Sequence, residues 1–295
     1  MIEVGNQNPT SFHLAGIVPV AGQPLDYNFP WHDCMQPISK NYLAVERAVL
    51  ECAYAGCETI WVVCHGDMQP LIRYRLGDWV HDPINAYNVF AKHPSDEQKP
   101  VQIYYVPIHP KDRDRRDCLA WSALYGALTS YSLSLTISKW MIPDKYYVAF
   151  PYGVYPPEIV KEQRKNISSK NPFFVTSPEG LTVKDGEYLG FTFDAEDFKR
   201  CRRELRTRGT GEKERWTDTE RMPLEKRWSA RFFSIKDVFM YVNSNNCNKL
   251  ELSWHYDISS WDGLRSYLGS EHEVFRPSKT IFSYHESEYI GVDNE

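Results

Sequence analysis

Apolar and amphipathic stretches alternate along the first part of the chain. Residues 12–20 are mostly apolar, which is typical of a strand buried in a parallel sheet. Residues 40–55 carry apolar side chains near helical spacing, and with Ser39 as N-cap and Gly56 as stop they predict a helix. The alternation continues with predicted strands at Glu58–Cys64, Val101–Ile108 and Lys145–Phe150, and with predicted helices at Gln69–Leu76, Cys118–Tyr131 and from Pro157 to Lys165.

This alternation predicts an α/β fold. Strands joined through helices make right-handed crossovers, so we expect a mixed, mainly parallel sheet flanked by helices. Ligands of such sheets bind beyond the carboxyl ends of the strands. The sequence therefore predicts a site among residues 20–38, 64–68, 108–117 and 150–156.

The second half of the chain has a less regular pattern. Asp194 to Arg206 predicts a helix with Asp194 as its cap, and a mobile charged loop is expected from Arg206 to Thr219. No linker or repeat interrupts the chain, which predicts a single domain over residues 1–270 and a polar tail, residues 271–295, that packs on its surface. Further strands are predicted at Phe173–Ser177, Tyr188–Phe193 and Leu250–Tyr256, and further helices at Trp228–Val242 and Ser260–Leu268.

Composition narrows the classes of function. The net charge of −5 disfavours nucleic acid and anionic membranes as partners. The seven Cys are irregularly spaced and include no CxxC pair, so a disulfide framework or zinc site is not expected and a reducing compartment is favoured. The first residues lack a signal-peptide pattern and no apolar run approaches bilayer length. We expect a soluble, cytoplasmic protein without a membrane contact.

Several segments, in order, resemble one known family. The segment Gly16-Ile-Val-Pro-Val-Ala-Gly22 looks like the first strand and glycine loop of the sugar-phosphate nucleotidyltransferases, which have the GT-A fold. The resemblance spans residues 14–268 and implies a GT-A, Rossmann-like domain. The other segments that carry it are Met35–Ile38 at the end of the signature, Ala55–Val63 before the second strand, Tyr188–Phe193 in the product-side half and Trp254–Asp262 in the closing segment.

The resemblance also implies a chemistry. In this family a sugar phosphate attacks the α-phosphorus of a nucleoside triphosphate and pyrophosphate leaves, with Mg²⁺ or Mn²⁺ and a cation neutralising the charge. Asp257 falls where the family has its second acidic residue, so it is the expected catalytic and metal-binding carboxylate. The glycine loop implies nucleotide binding by Val20, Ala21, Gly22 and Gln23.

Three positions depart from the family's pattern. Gln23-Pro24 stands where the family has a further Gly and an Arg, and Asp33 stands where it has a Lys. The chain reads Phe150-Pro-Tyr-Gly-Val154 where the first metal Asp is expected. These departures predict a degenerate site in which ordinary nucleotidyl transfer is lost or altered.

Two further groups of side chains follow predicted strands. Cys64-His65-Gly66-Asp67 could hold a nucleotide through His65 and Asp67, or could be a polar strand-end turn. In the run Lys111–Asp117, Arg113 and Arg115 could grip phosphates and Arg116 could replace the missing loop cation as a catalytic group, or the run could be a solvated loop that pairs with itself. A third basic run, Lys199–Arg208, fits either a phosphate patch or a plain solvent face.

Two hypotheses from different classes remain. The first is a nucleotidyltransferase-like protein that binds a nucleoside triphosphate or nucleotide sugar. The second is a non-catalytic structural or assembly protein on a retired nucleotidyltransferase scaffold, viral or virion-associated, with a protein partner held by its aromatic surface or C-terminal tail. The high aromatic content of 14% motivates the second.

Overall fold

The structure, a computed structural model, describes residues 12–22, 29–86, 98–214 and 233–276. Of residues 85, 86, 98, 114, 115, 140 and 206–214 only the backbone is described. Gln23, the Arg115 side chain, the first part of the predicted helix Trp228–Val242 and residues 277–295 of the predicted tail lie outside this description.

Eight strands form one sheet, with the order β11-β9-β10-β7-β1-β4-β6-β5. The four central strands β7, β1, β4 and β6 are parallel, while β10 and β5 run antiparallel to their neighbours. The α/β prediction with a mainly parallel sheet is confirmed. The strands of the described residues are β1 Leu14–Pro19, β2 Pro37–Ser39, β3 Tyr42–Leu43, β4 Thr59–Cys64, β5 Trp79–Ala86, β6 Gln98–Pro107, β7 Lys145–Val148, β8 Gly153–Val154, β9 Phe173–Thr176, β10 Phe191–Phe193, β11 Asn248–Glu251 and β12 Tyr256–Asp257.

Helices cover both faces of the sheet. Helix α1 packs against β1 on one face, and α4 packs against β1 and β4 on the other. Within the described ranges, none of the helices combines the length and apolar character that crossing a bilayer requires. The helices are α1 Ala44–Ala55, α2 Gln69–Leu76, α3 Pro110–Arg116, α4 Leu119–Ile137, α5 Arg164–Ile167, α6 Ala195–Glu214, α7 Ile235–Phe239 and α8 Trp261–Leu268.

Two glycines allow these helices to approach the sheet closely. A Cβ on Gly16 of β1 would lie 2.8 Å from the Cβ of Cys52 in α1. A Cβ on Gly126 of α4 would lie 2.7 Å from Cγ2 of Val63 in β4. Gly16 opens the segment that resembles the glycine loop, and its own role is to let a helix pack against the first strand.

The order of the parallel strands reverses beside β1. Strand β1 pairs with β4 on one side and with β7 on the other, in parallel register on both. A crevice for ligands forms where neighbouring strands connect in opposite directions. The sheet therefore has its topological switch point at the carboxyl ends of β1 and β7, residues 20–22 and 149–153.

Several boundaries differ from the sequence prediction. Helix α1 begins at Ala44 rather than at residue 40, because residues 37–43 form the β2–β3 hairpin with Asn41 at positive φ, and Ser39 lies in β2 rather than at the helix cap. The segment predicted as a charged loop from Arg206 continues the α6 helix to Glu214. The predicted cap of that helix is confirmed, since Asp194 accepts hydrogen bonds from the amides of Glu196 and Asp197.

Two further elements were not predicted as such. The edge strand β5 contains Asp82 and Pro83, which interrupt a strand pattern, and among the described residues it pairs with β6. Helix α3 covers most of the run Lys111–Asp117, for which no helix was predicted, with Pro110 in its first turn and the His109 side chain accepting from the Lys111 amide. The predicted helix at Trp228–Val242 is reduced in the described part to α7, where Ser234 caps the helix instead of interrupting it.

Candidate functional site

The glycine segment ends β1 at the switch point. The amides of Val20 and Ala21 both donate to the carbonyl of Val63, so neither is free to bind a phosphate. The carbonyl of Ala21 accepts from the Ser122 hydroxyl at 2.5 Å, which ties the segment to α4. A Cβ on Gly22 would lie 3.2 Å from the Leu119 amide nitrogen. The segment is therefore tightly packed on the first turn of α4.

Polar side chains gather beside this segment at the carboxyl ends of β4 and β6. His65 Nε2 lies 3.0 Å from Asp117 Oδ1, and both side chains are largely buried. Burial, and then the nearby His65, lower the pKa of His32, while Asp67 acts in the opposite direction. The structure therefore brings His32, His65 and Asp67 to one edge of the sheet.

Arg113 lies beside His65 and Asp67, because it forms an ion pair with Asp67. Its guanidinium lies 3.4 Å from Asp67 Oδ1, and both side chains are well exposed. Desolvation works in the opposite direction, but a backbone hydrogen bond and the Arg113 charge lower the pKa of the Asp67 carboxyl. The predicted residues His65, Asp67 and Arg113 lie together, with the cation facing solvent.

Arg116 points away from the other predicted site residues. Its Nε donates to Asp112 at 3.1 Å, one turn earlier in α3. Its guanidinium also lies 4.2 Å from the centre of the Trp121 ring in α4. These two contacts hold the Arg116 side chain between α3 and α4, so a role for it in catalysis requires them to break.

Asp257 reaches the switch point by strand pairing. In β12 it is the register partner of Gly153 in β8, just beyond the carboxyl end of β7. The Ser259 amide donates to its Oδ1 at 2.8 Å. Although the carboxyl keeps an exposed surface, desolvation by its neighbours raises its pKa. Asp257 therefore lies near the end of β7, whereas His65 and Asp67 follow β4, with β1 between these two strands in the sheet.

A second carboxylate, Glu187, lies beside Asp257. Desolvation, and then the charge of Asp257, raise the pKa of Glu187. His255 Nδ1 lies 3.8 Å from Glu187 Oε2. No motif in the sequence singles out Glu187, which comes near Asp257 through contacts between distant parts of the chain.

The departures from the family pattern have a structural counterpart. Asp33 is only 3% exposed, within the short 3₁₀ turn Asp33–Met35. Phe150 begins the segment Phe150–Val154 where the resemblance leads one to expect a metal Asp, and it is fully buried with its carbonyl accepting from Arg47 at 2.5 Å. In the described part of the chain, no three His, Cys, Asp or Glu side chains cluster so as to hold a metal ion. Asp257 and Glu187 are the carboxylates that the structure places near each other at the end of β7.

Comparisons with known proteins identify the fold. No protein-family model matches the chain, and no curated protein matches its sequence. A solved structure from Bacillus anthracis, described as a candidate glucose-1-phosphate thymidylyltransferase in complex with sucrose, matches with a TM-score of 0.52 and 11% identity, over 89% of this chain and 98% of that one. The chain has the fold of a sugar-phosphate nucleotidyltransferase.

Two other solved structures match with lower scores. A nucleoside-diphosphate-sugar pyrophosphorylase from Vibrio cholerae RC9 has a TM-score of 0.47 and 12% identity, over 86% of this chain and 100% of that one. A manganese complex of a protein from Mycobacterium tuberculosis H37Rv has a TM-score of 0.45 and 14% identity, over 88% of this chain and 100% of that one.

Proposed function

We propose that the chain binds a nucleoside triphosphate or a nucleotide sugar at the switch point. The observation that supports this proposal is the position of His65, Asp67 and Arg113 at the carboxyl end of β4, next to β1, where the strand order reverses. An exposed guanidinium suits a phosphate, because it can exchange its weak surface carboxylate partner for a more highly charged one. A buried Asp117 fixes the His65 ring, which is thereby positioned to contact the same ligand.

The chemistry that follows binding is altered or absent in this proposal. The buried Asp33 and Phe150 replace a cation and a carboxylate of the family's pattern. If a metal takes part, Asp257 and Glu187 are the carboxylates at the end of β7 that would contact it, and we assign no reaction step to it. The phosphate-binding role falls to Arg113, with Gln23, Arg115 and the Arg116 side chain as further expected contacts.

Calorimetric titration tests the proposal. We expect saturable binding of at least one common nucleoside triphosphate or nucleotide sugar, measured with and without Mg²⁺ or Mn²⁺. Arg113→Gln should weaken this binding about tenfold, the effect of one charge-assisted hydrogen bond. Arg73→Gln is the matched control, because Arg73 makes a similar exposed pair with Asp78 on α2. Absence of binding at high protein concentration, or equal weakening by both substitutions, would reject the proposal.

The second candidate function is a non-catalytic assembly role with a protein partner. The end of α4 supports it, because large apolar side chains there are exposed around the helix, namely Tyr131, Leu133, Leu135 and Ile137. Light scattering of the full chain tests this role. A stable large assembly that binds no nucleotide favours it, whereas a nucleotide-binding monomer or dimer contradicts it.

We also propose that residues 1–270 form one domain and that residues 271–295 form a tail on its surface. Residues 271–276 contact the main body, since Val274 is buried and its amide lies 3.3 Å from the Tyr267 hydroxyl. Arg276 lies 3.5 Å from Glu46 in α1. Limited proteolysis that removes residues after 276 without unfolding the remainder would support a surface tail.

A further inference from the structure

A cavity of about 360 Å³ lies between α4 and α6, on the face of the sheet that α4 covers. Its volume falls within the range of small-molecule sites, about 300–1,000 Å³. It is separate from the switch point, although Lys199 and Arg202 of the basic run Lys199–Arg208 and Tyr131 of the exposed end of α4 line it. The lining residues are Ala127, Leu128 and Tyr131 of α4, Tyr146 of β7, and Ala195, Phe198, Lys199 and Arg202 of α6.

The cavity is a consequence of how three helices pack. The short helix α7 packs against both α4 and α6 and so occupies one part of the space between them. Beyond α7 the walls carry the small side chains of Ala127 and Ala195, which leave the remaining space unfilled. The space is partly open to solvent, since Tyr131, Lys199 and Arg202 on its walls are exposed, and small-molecule sites are concave spaces of this size.

The wall formed by β7 carries a polar group without a protein partner. Tyr146 is 5% exposed, and its ring stacks on Phe193 with the centroids 5.2 Å apart. Among the described residues, none makes a hydrogen bond with its hydroxyl. Burial raises the pKa of this phenol, so it remains a neutral donor at physiological pH. The hydroxyl oxygen itself is not among the fully buried side-chain atoms that lack a partner, so it keeps contact with solvent, and as an unpaired donor it can bond to a ligand in the cavity.

The mouth of the cavity is positively charged. Lys199 pairs with Glu196 at 2.7 Å, which compensates its charge. The Arg202 guanidinium lies over the Phe198 ring, 5.9 Å from its centre, and no carboxylate within the described ranges pairs with it. An anion at the mouth would meet one uncompensated guanidinium next to an apolar wall.

We propose that this cavity binds a free medium-chain carboxylic acid as its anion. The acyl chain packs against the Ala127 and Ala195 side chains and the rings of Tyr131 and Phe198. Arg202 and the Tyr146 hydroxyl supply donors, and a carboxylate accepts from both. An apolar body with one negative charge matches the lining, whereas a nucleotide would place several charges against apolar walls.

Titration calorimetry of the full chain with decanoate, below the concentration at which it forms micelles, tests the proposal. We expect one saturable site, and at least tenfold weaker binding of the uncharged 1-decanol. Arg202→Gln should weaken decanoate binding about tenfold, and Tyr146→Phe by about fivefold, the effects of one charged and one neutral hydrogen bond. Arg203→Gln is the matched control, because Arg203 follows Arg202 in α6, is exposed and does not line the cavity.

Three results would overturn the proposal: no saturable binding of decanoate, equal binding of decanoate and 1-decanol, or equal weakening by Arg202→Gln and Arg203→Gln. The last result would indicate nonspecific attraction to the basic run. Thermal unfolding checks that each variant is folded. Arg202 is exposed, so its substitution leaves the fold intact and decides the question even if Tyr146→Phe fails to fold.

Discussion

Arg47 and Glu51 form an ion pair at 2.8 Å, and both side chains are fully buried beneath the switch point. The second carboxylate oxygen of Glu51 accepts from the hydroxyls of Tyr147 and Tyr155, at 2.6 Å each. Arg47 also donates to the carbonyl of Phe150. The pair therefore connects α1 to the carboxyl end of β7, where the crevice opens.

Removing only the cation of this pair should strongly destabilise the protein. Arg47→Met leaves the Glu51 charge buried without its partner, so we expect the free energy of unfolding to fall by about 3–5 kcal/mol. Urea denaturation followed by circular dichroism measures the loss. Arg73→Met is the control, because the exposed Arg73–Asp78 pair should contribute less than about 1 kcal/mol.

A double substitution separates charge from packing. In Arg47→Met/Glu51→Gln the buried charge is gone, while the amide oxygen can still accept from Tyr147 and Tyr155. We expect the double variant to be more stable than Arg47→Met alone. If the change in unfolding free energy of the double variant equals the sum of the two single changes, the ion pair does not account for the stability lost in Arg47→Met.

Close packing at Gly16 gives a second prediction. Because a Cβ there would lie 2.8 Å from the Cβ of Cys52, Gly16→Ala should push α1 from β1 and lower the free energy of unfolding by about 1–3 kcal/mol. Gly66→Ala is the matched control, since no atom lies within 4 Å of its Cβ position. Similar urea midpoints for both variants would contradict the close approach.

The central sheet could be predicted because its strands are buried on both faces. A continuous apolar run such as Ile60–Cys64 indicates such a strand without knowledge of its neighbours. The edge strand β5 could not be predicted in this way, because Asp82 and Pro83 interrupt the apolar pattern, as is common in edge strands. The full length of α6 could not be predicted either, because Gly209 and Gly211 are typical of a loop rather than of a helix.

The residues of the candidate site were likewise only partly predictable from the sequence. His65 and Asp67 were predictable because they directly follow β4, and strand ends are the usual position for ligand contacts. The Asp117 partner of His65 and the nearness of Glu187 to Asp257 depend on contacts between distant parts of the chain. Sequence spacing contains no signal for such contacts.

The buried His255 predicts a pH dependence of stability. Desolvation, and then the nearby Arg47, lower its pKa to about 4, with Glu179 opposing, and its side chain is 7% exposed. The unfolded chain takes up the proton near pH 6.5, so stability falls as the pH drops from about 6.5 to about 4. The loss amounts to about 3 kcal/mol and is complete below pH 4.

Urea denaturation at a series of pH values measures this dependence. His255→Gln should reduce the slope of unfolding free energy against pH between about 4 and 6.5. His109→Gln, at an exposed position, should keep the slope of the parent protein. An unchanged slope in His255→Gln would show that other groups cause the pH dependence.

Repulsion between Glu187 and Asp257 gives the last prediction. Desolvation, and then Asp257, raise the pKa of Glu187, so its folded state loses stability as the pH rises through that pKa. Glu187→Gln should therefore stabilise the protein by about 0.5 kcal/mol at pH 7 and have no effect once both carboxyls are protonated. Thermal unfolding at a series of pH values from 7 downward measures the difference, which should shrink as the pH falls and the carboxyls take up protons, with the exposed Glu251→Gln as control. An effect that does not change with pH would mean that the two carboxylates at the end of β7 do not interact.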